Sequence, residues 1–155
     1  MSCVLDQTDK KILTLLQQDA SVSNLELSKA IGLSPSACLT RTKSLKEEGY
    51  IKQYTAILDE ARVGMQVVAF VMINLSPISR ETIEAFLAKI YQLPNVLECY
   101  TLAGGNDYLL KVVAPNVQAY RDYVVDRIMS IPNVSSMETN LVITTDKRNL
   151  AIPIE

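Results

Sequence analysis

Two short stretches of this chain hold the side chains that could do chemistry. In "SPSACLTRTKSLK", residues 34–46, small hydroxyl residues surround one arginine and two lysines. Arginine can pair bidentately with guanine in the major groove, short side chains let a helix backbone approach base edges, and lysines can meet phosphates. In "YTLAGGNDY", residues 100–108, backbone N–H groups at Gly104 could take a carboxylate and Asp107 an ammonium, with Asn106 between them and Tyr100 and Tyr108 flanking. An α-amino acid presents both groups. The plainer reading of that loop is a four-residue hairpin, Gly104 to Asp107, in which Gly and Asn tolerate positive φ and Asp bonds its own turn.

Other chemistry has little to work with. The chain has no histidine, which excludes Ser-His and Cys-His nucleophile pairs and histidine metal sites. No GxGxxG or Walker pattern makes the Gly-Gly pair a phosphate loop. Cys3, Cys38 and Cys99 are odd in number and far apart, so reduced thiols in a cytoplasmic protein are expected rather than disulfides or a metal site. No signal peptide or membrane-length apolar run is read, and no enzyme activity or cofactor is expected. Fifteen Lys plus Arg against seventeen Asp plus Glu give a net charge of −2, so attraction to a polyanion must come from a local patch.

The first stretch sits in a run of capped helices. Asp6 and Asp9 start a helix over about 6–18, with Leu5, Ile12, Leu13, Leu15 and Leu16 as its apolar stripe. Ser23 and Glu26 form a capping box for a second over 24–31, which Gly32 ends. Ser34 caps a third that begins at Pro35 and runs to Gly49. Two helices joined by so short a turn are laid out as a helix-turn-helix, although non-binding helical proteins share that layout. On the third helix Cys38, Leu39, Thr42 and Leu45 are expected inward. Ser34, Ser36, Ala37, Thr40, Arg41, Lys43, Ser44 and Lys46 form the candidate DNA-binding set. Residues 33–53 carry four basic and two acidic residues, a local +2, within a region 1–60 that carries seven and eight. So modest a patch calls for several copies on one DNA. The competing reading is a solvated helix with the pair Lys43–Glu47, worth roughly 0.2–0.5 kcal/mol. After Gly49, "YIKQYTAILDEA" is expected to form a strand or wing, and the polar residues around Gly64 a linker.

The remainder is one unit written twice. Each copy is strand, helix, corner and strand: "QVVAFVMINL", "SRETIEAFLAKIYQ", "LPNV", "LECYTLA", then "YLLKVVA", "VQAYRDYVVDRIMS", "IPNV", "SSMETNLVITT". Two tandem β-α-β units predict a ferredoxin-like sheet with both helices on one face. The expected fold is therefore α+β, a winged helix-turn-helix over 1–60 followed by a ferredoxin-like domain over 61–155. "VVAFVMI" is apolar on both alternations, whereas a strand with one wet face should be polar at every second residue. A second copy of the sheet is the expected cover, giving a homodimer.

With these segments in place the chain resembles the Lrp/AsnC (leucine-responsive, feast/famine) family of transcription regulators. The resemblance spans nearly the whole length and is carried by "LDQTDKKILTLLQQDA", "SNLELSKAIGLSPSACLTRTKSLKEEGYIKQYTAIL", "GGNDYLLKV" and "IPNV". It implies a DNA-binding regulator, dimers assembling into octamers or similar discs, and a free amino acid as effector. It makes Pro35 to Glu48 the recognition helix and Gly104, Asn106, Asp107 and Tyr108 the effector loop, lying between neighbouring dimers. Thr42 stands where the family usually has an aliphatic residue, and Thr40 and Ser44 where some members carry Arg. "GGND" replaces the commoner "GDFD", removing an acidic and an aromatic side chain, so leucine, methionine or another apolar amino acid all stay open. An architectural DNA-binding protein and a small-molecule module without a DNA role are the alternatives.

Overall fold

The computed structural model describes residues 5–155, Val125 by its backbone only, so Cys3 lies outside the described residues. The chain divides into two compact units, one running up to Ile57 together with Asp146–Glu155, the other Leu58–Thr145. The sequence boundary put 146–155 in the second domain. The tail instead groups with the first unit, because Ile152 exchanges two hydrogen bonds with the Gln17 carboxamide (3.1 and 2.7 Å) and Ile154 packs on the helical core.

Unit one contains α1 (Gln7–Gln18), α2 (Asn24–Ile31) and α3 (Pro35–Glu47). Each start is fixed by local chemistry. Asp6 and Asp9, then Ser23 and Glu26, form reciprocal capping boxes, and Ser34 caps α3 with Pro35 in its first turn. Gly32 ends α2 at φ 74°, a left-handed conformation that suits a residue without Cβ. Ile12, Leu13, Leu27, Cys38 and Leu45 make the buried core. Leu39, expected inward, is 45% exposed. Residues 51–59 form neither helix nor strand, so the expected wing strand is not made within this chain. Its Tyr, Ile and Thr favour a strand, but a strand needs a hydrogen-bonding neighbour.

Unit two opens with a closed turn, Met65 N–H donating to the Glu60 carbonyl at 2.8 Å. It then runs β1 (Val67–Leu75), α4 (Arg80–Ile90), β2 (Val96–Thr101), β3 (Tyr108–Ala114), α5 (Val117–Tyr123) and β4 (Val134–Leu141). The expected single helix after β3 is α only to Tyr123 and continues as a π turn over Val124–Ile128. The sheet order is β2-β3-β1-β4, all neighbours antiparallel, which is the ferredoxin-like arrangement of two β-α-β units. Alternation decides what is buried. Ala69, Val71 and Ile73 of β1 and Tyr108, Leu110 and Val112 of β3 pack with Phe86 and Ile90 of α4 and with Tyr120, Val124 and Ile128. On the opposite face Val68, Met72 and Leu109 are half-buried while Phe70 and Tyr100 are exposed. Cys38 and Cys99 are free thiols. Among the described residues no helix is long and apolar enough to cross a membrane.

Candidate DNA-reading helix and effector loop

The start of α3 is held by neighbouring groups. The Asn24 carboxamide donates to the Pro35 carbonyl at 2.8 Å, which ties the start of α2 to that of α3. The Ser34 hydroxyl accepts from Ala37 N–H at 3.3 Å and shares a hydrogen bond with the Ser36 hydroxyl at 3.2 Å. Thr40 donates its hydroxyl to the Ser36 carbonyl at 3.0 Å. Ser34, Ser36, Ala37, Thr40, Lys43 and Lys46 are exposed, with the Lys46 ammonium 5.6 Å from the centre of the Tyr54 ring. Ser44 is half-buried and donates to Glu48 at 2.6 Å.

Arg41 stands apart from the exposed set. Its Nη1 donates to Asp6 Oδ2 at 2.6 Å and to Asp9 Oδ1 at 2.8 Å, so the guanidinium spans the start of α1 and is already engaged. The helical period explains the difference: Arg41 falls three and four residues from Cys38 and Leu45, near the buried face, whereas Ser36, Thr40 and Lys43 fall opposite. The Asp6 carboxyl is held below its ordinary 3.8, first by the Asp9 N–H and then by the Arg41 guanidinium. Its contribution to stability is therefore complete above 3.8 and is lost as pH falls through the lowered value. Arg41→Ala is expected to move the Asp6 titration, followed by carboxyl carbon NMR, back toward its ordinary range. An unmoved titration would mean that the ion pair does not form in solution.

The second candidate site is a knot of polar groups at one end of the sheet. Asn74 Nδ2 donates to Asn106 Oδ1 at 3.3 Å and to the Ser136 hydroxyl at 2.9 Å, while Asn74 Oδ1 accepts from Asp107 N–H at 3.1 Å. Asp107 Oδ2 accepts from Leu75 N–H at 2.8 Å, and Asn106 Nδ2 lies 3.3 Å from Met72 Sδ. The pairing of β1 with β4 shifts register between Asn74 and Leu75, where this knot interrupts the ladder. The hairpin does not use the positive φ its residues tolerate, and one expectation for it is corrected. Gly104, Gly105 and Asn106 do not adopt positive φ, and the Asp107 side chain bonds the neighbouring strand rather than its own turn.

The two tyrosines do not flank a common pocket. Tyr108 is 2% exposed and packs against Phe86 with ring centroids 4.7 Å apart, because it shares the inward alternation of Leu110 and Val112. Tyr100 lies on the open face and donates its hydroxyl to Glu98 at 2.6 Å, a bond that pushes the phenol pKa up. Glu98 also meets Lys111 at 3.2 Å. Asn74 is the residue that sequence reasoning missed. The signal was present: it is the one polar side chain in "VVAFVMINL".

Residues 5–52 match the family model described as winged helix-turn-helix DNA-binding, and residues 68–152 match the Lrp/AsnC ligand binding domain. The chain is 53% identical over 155 residues to the transcriptional regulator AzlB of Bacillus subtilis (strain 168), covering 100% of this chain and 99% of that protein. It is 36% identical over 151 residues to the leucine-responsive regulatory protein of Salmonella typhimurium, covering 97% and 92%. Among solved structures, a transcriptional regulator of Neisseria meningitidis in complex with L-Met superposes with a TM-score of 0.93 at 34% identity, over 97% of each chain. With a three-helix unit before a ferredoxin-like sheet, and both halves matched, the chain belongs to the Lrp/AsnC family of transcriptional regulators.

Proposed function

We propose that this regulator works in the cytoplasm as a homodimer, assembled through the open face of its sheet and further into an octamer or similar disc, with an apolar amino acid as effector. Methionine and leucine are the first candidates, given the L-Met complex of the Neisseria regulator and the name of the Salmonella relative. Ser36, Thr40 and Lys43 of α3 face the major groove, with Ser34, Ala37 and Lys46 beside them. Gly104, Asn106 and Asp107 receive the effector.

One observation carries the reading. Asn106 reaches Met72 and Asn74, whose β1 positions alternate with the buried Val71 and Ile73 and so belong to the open face with Phe70. A ligand held at the loop and a second copy laid on the sheet thus press on the same residues. Binding shifts assembly only by its different affinity for the two states, and shared residues are where such a difference arises. The test is a thermal-shift screen against all twenty amino acids, followed by light scattering with those that stabilise. An apolar amino acid should raise the melting temperature and change the particle mass. No stabilisation by any of them would refute the effector assignment.

A further inference from the structure

The exposure of Leu39 needs a cause. On the same helix Cys38 is 0% and Leu45 3% exposed, against 45% for Leu39. The helical period places it beside Ser36 and Lys43, which are three and four residues away, with Thr40 one position further around the helix. A lone exposed leucine is ordinary on a protein surface. This one flanks the face assigned above to the groove, and apart from the Lys43 ammonium its neighbours have few polar hydrogens left to offer.

Arg41, the one arginine in α3, is engaged with Asp6 and Asp9. The Thr40 hydroxyl hydrogen goes to the Ser36 carbonyl, and the Ser34 and Ser36 hydroxyls bond each other. No Asn or Gln occurs between Pro35 and Glu47 to pair with adenine. Besides the Lys43 and Lys46 ammonium groups, which can meet phosphates or guanine, the face offers base edges the Leu39 isobutyl group and the Thr40 methyl. In the major groove the matching apolar group is the C5-methyl of thymine.

We propose that Leu39, supported by the Thr40 methyl, reads thymine by contact with its C5-methyl group, and that this contact replaces an arginine–guanine fork as the main source of base discrimination. The proposal rests on the DNA-binding role of α3 given above and names the base feature it selects.

Deoxyuridine tests it, because it differs from thymidine by that methyl alone and leaves base pairing intact. The full chain is used to select a preferred duplex from a random pool at fixed salt, and each thymine of the selected site is then replaced by deoxyuridine. Replacement at one or two positions in each half-site should weaken binding about fourfold per contact, the worth of one buried methyl-sized group. Leu39→Ala, at a half-exposed position where folding is retained and checked by circular dichroism, should lose the deoxyuridine penalty at the thymine that Leu39 contacts.

Indifference of the unaltered protein to every deoxyuridine would overturn the proposal. So would a Leu39→Ala protein that keeps the full deoxyuridine penalty. Failure to retain any duplex at low salt would instead overturn the DNA-binding role of α3, and this proposal with it.

Discussion

Replacing Phe70 with Asp is expected to yield a folded monomer that has lost at least about a hundredfold in operator affinity, on the avidity expected of paired sites. Phe70 is 36% exposed in the single chain, in the middle of a face formed with Val68, Met72 and Leu109. Its register partner on β3 is Lys111, so an isolated sheet tolerates a carboxylate at this position, next to a lysine. Between two sheets the same carboxylate would lose its water, at a cost of several kcal/mol that one neighbouring ammonium does not fully offset. The loss of DNA affinity follows from charge. A region with seven basic and eight acidic residues holds DNA weakly, and two linked α3 helices make the second contact intramolecular. Light scattering should report half the wild-type dimer mass, and fluorescence anisotropy the weakened binding. A Phe70→Asp protein with unchanged mass and affinity would exclude the open face as the dimer contact.

Residues that act on near neighbours were legible in the sequence. The boxes Asp6–Asp9 and Ser23–Glu26 and the Ser34–Pro35 start each close within three residues, and all three helices begin where those residues predict. The doubled β-α-β pattern was legible because apolar alternation and the two "PNV" corners repeat. Contacts across long separations were not. Arg41 meets carboxylates 35 and 32 residues away, and Asn74 meets Asn106 and Ser136 at separations of 32 and 62. Composition made Arg41 a candidate base reader, and only the packing of α3 on α1 shows that its guanidinium also bridges Asp6 and Asp9. Tyr108 could have been placed inward by counting register from Val112, since β-strand parity is strict. The segment after Gly49 could not be decided, because its apolar residues need a partner strand that no described part of this chain supplies.

Asp107→Asn is the variant that isolates the effector contact, and it is expected to lower amino-acid affinity by roughly ten- to a hundredfold, the range for one hydrogen bond to a charged group. Asp107 has two separable duties. Its Oδ2 accepts from Leu75 N–H at 2.8 Å, and its own backbone is tied to Asn74, Ile73 and Leu102. Asparagine keeps an acceptor for Leu75 and leaves the backbone bonds in place, so the loop should hold its shape. The negative charge that would meet an α-ammonium is gone. Asp107→Ala removes both functions and also leaves a partly buried Leu75 N–H unpaired, which adds a stability loss of about 1–3 kcal/mol. Calorimetry against the best stabilising amino acid, read beside the melting temperatures of the unliganded proteins, distinguishes the two duties. The Asn variant should lose affinity at nearly constant melting temperature, and the Ala variant should lose both. Unchanged affinity in the Asn variant would leave Asp107 as a clasp for the loop alone and move the ammonium contact to another residue.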